Sequence, residues 1–209
     1  MTLQTIAAWC GSGSSLSHQP EGNLAARPTI RQVWNSLDLI QEPPPPGEPA
    51  AAAVLIALYE SPDGLTRLVL TKRPDTMPTH AGHIAFPGGR PDPADKGPLE
   101  TALREAHEEV GISPEKVDVV GYLPPIHTVE YRLMVVPVVG HLPAPPELVP
   151  SPREVVRVYE PTLDELSEQD LWRSEDWNGH RVWFYDLEGD VLWGATAMMV
   201  RRLLSLDTY

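Results

Sequence analysis

Gly88-Gly89-Arg90-Pro91-Asp92-Pro93-Ala94-Asp95, followed by Pro98 to Val110 with Arg104-Glu105-Ala106-His107-Glu108-Glu109 inside it and Gly111-Ile112 behind it, is the stretch that orders the rest of the chain. Its second part reads as a helix. Leu99, Ala102, Leu103, Ala106 and Val110 recur at the spacing of one helical face. Pro98 suits the first helical turn, where its missing N–H loses nothing, and Gly111 suits the stop. The spacing therefore predicts a helix over 98–110. Glu105, Glu108 and Glu109 then stand at i, i+3 and i+4, in one sector about a third of a turn from the apolar stripe. Like charges so placed repel by roughly 0.2–0.5 kcal/mol per pair in an isolated helix. A bound cation would offset that repulsion, and hard oxygen donors without cysteine favour Mg²⁺ or Mn²⁺ over zinc. A solvated helix face carries the same pattern, so spacing alone leaves both readings open.

Upstream, a nearly unbroken apolar run from Ala51 to Tyr59, the turn Ser61-Pro62-Asp63-Gly64 and a second run from Leu65 to Thr71 read as strand, turn, strand. Pro74 to Gly97 is too long for an idle connection and is expected to be a functional loop. Downstream, short apolar runs at 117–123, 133–142 and 154–160 read as strands, 163–166 and 195–206 as helices. Asn178-Gly179 between Trp177 and the run 181–185 is a type I′ hairpin signature. Strands with helices at intervals and no regular βαβ repeat give an α+β class, a mixed sheet between helices.

The ends and the composition set the frame. Of 209 residues, 42% are hydrophobic and 22% charged, which excludes a largely disordered chain and fits one domain, expected at 49–209. Residues 1–48 read as an appendage: the loose run Gly11-Ser12-Gly13-Ser14-Ser15, a short amphipathic helix over 30–40, and a polyproline linker at Pro43 to Pro46. Sixteen Lys and Arg against 29 Asp and Glu give a net charge of −13, which disfavours nucleic acid and anionic membrane as partners. An anionic substrate would need local cations. No stretch reaches the eighteen or so apolar residues that span a bilayer, no leader pattern opens the chain, and Cys10 is its one cysteine, so a cytoplasmic location is expected.

Glycine loop, acidic helix and glycine loop together resemble the Nudix box of the Nudix hydrolases, GX5EX7REUXEEXGU with U aliphatic. There are two departures: Asp95 stands for the glutamate before the helix, and one extra residue precedes Arg104. Both are habits of the coenzyme A pyrophosphatase branch, whose FPGG and DPxD elements correspond to Phe86-Pro87-Gly88-Gly89 and Asp92-Pro93-Ala94-Asp95. Leu70-Thr71-Lys72-Arg73 and Gly82 fall at the spacing of that branch's upstream signature, while Pro74 and Pro78 depart from it, Pro78 replacing a usual arginine. Gly121-Tyr122-Leu123-Pro124-Pro125 and Trp193-Gly194-Ala195-Thr196-Ala197 extend the resemblance, which covers about residues 49–206.

The resemblance implies a Nudix α/β/α sandwich and metal-dependent hydrolysis of the diphosphate linkage of a small nucleotide. Coenzyme A or its derivatives are the leading substrates, ADP-ribose or NADH the alternative, and a catalytically silent nucleotide-binding module the reading from another class. It implies Glu105 and Glu109 as principal ligands of Mg²⁺ or Mn²⁺, with Glu108 as a further ligand and the Gly88 carbonyl completing the sphere. Arg104 would orient these carboxylates, and Glu154 would act as base or extra ligand, with Glu130 and Glu160 as competitors. A homodimer is implied by resemblance only. Lys72, Arg73 and Arg90 flank the site and would supply a local positive field, or serve as ordinary solubilising charges. His80 and His83 read as structural or as phosphate contacts, His107 as a variable position of the box. Trp172, Trp177, Trp183 and Trp193 read first as packing and second as a base-stacking wall.

Overall fold

A computed structural model describes residues 39–42, 52–77, 79–128 and 133–206. Cys10, the segment 11–15, nearly all of the helix expected over 30–40, the prolines 43–46, Pro78 and Glu130 lie outside the described residues. Strand β1 (Ala52–Glu60) is buried along all but its last residue. Its alternate side chains serve two cores: Val54, Ile56 and Leu58 enter one, Leu55, Ala57 and Tyr59 the other. A strand covered on both sides needs no polar face, which is why its sequence is an unbroken apolar run.

Around β1 the main sheet has the order β2-β1-β8-β6, with β2 at Thr66–Leu68, β6 at Asp118–Tyr122 and β8 at Met134–Leu142. β1 and β8 run parallel over eight residue pairs, Ala52 opposite Val135 through Tyr59 opposite Leu142. The other pairings are antiparallel, so the expected mixed sheet is present. Two short strands complete this sheet, β5 (Gly88–Gly89) against β1 and β7 (Ile126–His127) against β8. Ile40, expected at the end of a helix, instead bridges to Tyr122 at the sheet edge.

Helix α1 (Pro98–Val110) covers one face, with Ala102, Ala106 and Val110 in the core of Leu55 and Ala57. Gly111 closes it at φ 76°, the left-handed conformation its sequence position predicted. The other face is covered by α2 (Leu163–Ser167), which begins with a Thr162–Glu165 capping box, and by α3 (Gly194–Leu203).

The run Leu65–Thr71 is not one strand. β2 pairs with β1, then at Val69 the chain leaves β1 and becomes β3 (Leu70–Lys72) in a second sheet, between β4 (Ile84–Ala85) and β9 (Arg157–Tyr159). Val69 N–H still donates to Ala57 O at 3.2 Å, so the switch needs no turn residue. A third sheet, β10 (Arg173–Trp177), β11 (His180–Leu187) and β12 (Asp190–Trp193), follows in meander order. Its first turn has Asn178 at φ 55° and Gly179 at φ 83°, the positive pair that a type I′ turn requires.

Candidate active site

Glu105 and Glu109 are four residues apart on α1 and so share a face. The third member arrives from elsewhere. Ser151 N–H donates to the carbonyl of Glu109 at 2.8 Å, and Glu154 N–H to Ser151 O at 3.1 Å, so the turn carrying Glu154 is tied to the last turn of α1. Glu105, Glu109 and Glu154 each bring a carboxylate oxygen into a group within 4.8 Å of one another.

The glycines let the chain lie against these carboxylates. Gly88 N–H donates to Glu109 Oε2 at 3.3 Å. A Cβ on Gly88 would stand 2.4 Å from Ala53 O, and one on Gly89 would stand 2.5 Å from the carboxylate carbon of Glu105. Gly88 has no room for a side chain, whereas at Gly89 the obstacle is the end of the Glu105 side chain.

The electrostatics are those of charges held out of water. Glu109 is 3% exposed, and burial pushes its carboxyl up to about 8, against the opposing pull of Arg73 and the Gly88 N–H. Arg73 Nη1 lies 3.5 Å from Glu109 Oε1. Glu105 is likewise raised by burial, with Arg104 opposing. Arg104 is the hub of the rim: it meets Asp95 at 3.0 Å, Glu105 at 3.0 Å and Glu108 at 2.9 Å, and donates to Arg90 O at 3.0 Å. Those hydrogen bonds hold the Asp95 carboxyl down to about 2. Asp95, standing where the family has glutamate, thus ties the loop to the helix through Thr101 and Arg104.

The structure sorts the expected residues. Glu105, Glu109, Glu154, Gly88 and Arg73 come together. Glu108 is not in the group of three; its side chain is 54% exposed and its partner is Arg104. Lys72 does not face the carboxylates but pairs with Asp190 at 2.6 Å, because successive residues of a strand point to opposite sides and Arg73 takes the other one. Arg90 is exposed and contributes its carbonyl to Arg104. Glu160, the competitor of Glu154, bonds the Tyr59 hydroxyl and its carbonyl accepts from Arg67 at 2.9 Å. Trp172 is core, whereas Trp177 and Trp193 belong to neither core cluster. Sequence reasoning missed Asp190, which gathers Lys72, Tyr159 and, at 3.7 Å, Arg157. A lone aspartate after Gly189 carries no pattern that marks it.

What the group can do follows from its atoms. Three carboxylates, one buried and two half-buried, meet Arg73 at 3.5 Å and Arg104 at 3.0 Å, and because Arg104 is shared with Asp95 and Glu108 they stay under-neutralised. All donors are hard oxygens, which suit Mg²⁺ or Mn²⁺. The residues present therefore fit a divalent cation.

Comparison with known proteins identifies the family. Residues 48–187 match the NUDIX domain family. The chain is 42% identical over 164 residues to Nudix hydrolase 22, chloroplastic, of Arabidopsis thaliana, covering 74% of this chain and 54% of that protein. It therefore spans about half the length of that relative. It is 39% identical over 172 residues to an uncharacterized Nudix hydrolase, NudL, of Photorhabdus laumondii, covering 78% of this chain and 90% of that protein. Among solved structures, a MutT/nudix family protein from Enterococcus faecalis superposes with a TM-score of 0.50 at 18% identity, over 79% of this chain and 64% of that one, a likeness of fold. With the glycine loop, the acidic helix and two thirds of its length matched, the chain belongs to the Nudix hydrolase family.

Proposed function

We propose that this chain hydrolyses the diphosphate linkage of a nucleoside diphosphate derivative in the presence of Mg²⁺ or Mn²⁺, with coenzyme A or its derivatives as substrate. The observation that carries the chemistry is the convergence of Glu105, Glu109 and Glu154 beside Arg73. The FPGG and DPxD elements support the coenzyme A branch, since Asp95 occupies the glutamate position with a full set of bonds.

Glu105, Glu109 and Glu154 would hold the cation, with the Gly88 carbonyl as a further donor. When bound, a divalent ion neutralises phosphate charge and makes water a better nucleophile. Arg104 keeps Glu105 in place through its bond at 3.0 Å while Asp95 holds Arg104. Glu108 braces Arg104 from the solvent side. Glu154, on a turn and half-buried, would serve as an extra ligand or, in its place, as the base. Arg73, next to Glu109, offers its guanidinium to a phosphate oxygen.

The test is product analysis by mass spectrometry after incubation with Mg²⁺ or Mn²⁺ and, separately, coenzyme A, acetyl-coenzyme A, ADP-ribose and NADH. Release of 3′,5′-ADP from the coenzyme A compounds, lost in Glu109→Gln, is the expected result. Cleavage of ADP-ribose or NADH alone keeps the hydrolase and overturns the substrate. Turnover of none, with nucleotide still bound, makes the chain a binding module.

A further inference from the structure

Two arginines reach the carboxylate group, and they are held in opposite ways. Arg104 is saturated: its guanidinium meets Asp95, Glu105 and Glu108 at 3.0, 3.0 and 2.9 Å and donates to Arg90 O. Three carboxylates and a carbonyl fix it, so it belongs to the frame of the site. Arg73 is not saturated. Its Nη1 stands 3.5 Å from Glu109 Oε1, long for a hydrogen bond, and its Nε is buried with no hydrogen-bond partner among the described residues. A guanidinium carries five N–H donors in a planar fork that matches the oxygens of a carboxylate or phosphate. Here that fork has one distant oxygen.

The backbone beneath it does not share this looseness. Arg73 N–H donates to His83 O at 3.0 Å. Lys72, just before it, pairs with Ile84 on one side and Arg157 on the other, and its carbonyl accepts from Val156 N–H at 2.9 Å. Pro74, just after it, accepts at its carbonyl from Met77 and Gly82 N–H. The main chain is therefore pinned, and the side chain alone is left to turn. That side chain is 20% exposed, so the guanidinium borders solvent while the Glu109 carboxylate is buried behind it.

Charge decides what would make it turn. Glu109 Oε2 accepts from the neutral Gly88 N–H at 3.3 Å, so the charge of Glu109 is offset by Arg73. A divalent ion on Glu105, Glu109 and Glu154 would bring two positive charges where Arg73 offers one, and would repel the guanidinium at short range. A phosphate oxygen is the acceptor that suits the displaced fork.

We infer that Arg73 is a placeholder: it offsets Glu109 while no cation is bound and, when Glu109 is given over to Mg²⁺ or Mn²⁺, turns its guanidinium to a phosphate oxygen of the substrate. The reading rests on the function proposed above and adds an order to it. Phosphate binding at Arg73 waits for the metal, because a nucleotide arriving alone meets a guanidinium already engaged beside three carboxylates that repel it.

The test is isothermal titration of the full chain with AMP, at saturating Mg²⁺ and again in chelator, for the wild type and Arg73→Gln. With Mg²⁺, Arg73→Gln is expected to bind AMP at least tenfold more weakly than the wild type. In chelator the two are expected to lie within twofold of each other, or both to show no binding. Equal weakening in both conditions overturns the placeholder, since Arg73 would then reach phosphate without the metal, and so does weakening in neither or a wild type that fails to bind AMP with Mg²⁺. A second readout needs no variant and decides the matter should Arg73→Gln fail to fold by circular dichroism. Modification of the wild type by the arginine reagent phenylglyoxal, followed at Arg73 by peptide mass spectrometry, is expected to run at least threefold faster with Mg²⁺ and to slow again when AMP is added. A rate that Mg²⁺ leaves unchanged or lowers overturns the inference. Turnover of diphosphates without these effects overturns the placeholder and leaves the hydrolase. The effects without turnover overturn the hydrolase and leave a metal-dependent phosphate site.

Discussion

Glu109 carries a conflict, a carboxyl that burial pushes up to about 8 beside a single arginine. In the unfolded chain it titrates near 4.5. Between those values the folded protein binds more protons than the unfolded one, so the metal-free stability it contributes is full below about 4.5 and is lost as pH rises toward 8. Thermal unfolding in chelator should therefore show the wild type losing stability from pH 5 to pH 8 relative to Glu109→Gln. Parallel curves would show that the group does not titrate there. The two glycines make a second, contrasting prediction. Gly88→Ala sets a methyl against backbone at 2.4 Å and should cost about 1–3 kcal/mol or more of stability. Gly89→Ala meets only the end of the Glu105 side chain, so it should leave the melting temperature nearly unchanged while weakening Mn²⁺ binding at least tenfold in titration calorimetry. The spacing of Glu105 and Glu109 was legible because a helix converts four residues of sequence into one face. Glu154 was legible only by resemblance, since its place depends on the bond from Ser151 to Glu109 O, 42 residues away along the chain.

Elements whose signals are local were read closely. The helix 98–110 was predicted to the residue because proline and glycine mark its ends, and Asn178-Gly179 gave its hairpin because few residues adopt two successive positive φ values. Elements defined by their partners were not. β4 and β5 are two-residue strands cut from a loop rich in proline and glycine, and β2 and β3 are one apolar run divided between two sheets. Nothing in a strand's own sequence states which neighbour it joins. The α2 capping box shows the same locality in energy. Thr162 accepts from Glu165 N–H at 3.1 Å, and Thr162→Ala should lower unfolding free energy by about 1 kcal/mol in urea titration without altering catalysis.

At the scale of the whole molecule, Asp190 joins the third sheet to the second. It takes Lys72 at 2.6 Å and the Tyr159 hydroxyl, bonds to β3 and β9, whose ends carry Arg73 and lead out of the Glu154 turn. Lys72, expected among the substrate cations, is spent on this junction. Asp190→Asn should lower stability by about 1.5–3 kcal/mol, the worth of hydrogen bonds to a charged group, read as a fall in the urea midpoint. An unchanged midpoint would mean that apolar packing alone holds the sheets together.

The parallel pairing of β1 with β8 bears on how the chain is made. More than seventy residues lie between the end of one strand and the start of the other. At roughly 5–20 residues per second, a ribosome needs on the order of 4–15 s to supply them. For that time the most apolar strand of the protein waits with its central edge open. β2 and the glycine pair of β5, both of which emerge sooner, pair with its other edge, so the glycine loop leaves the nascent strand one open edge instead of two before it becomes part of a site.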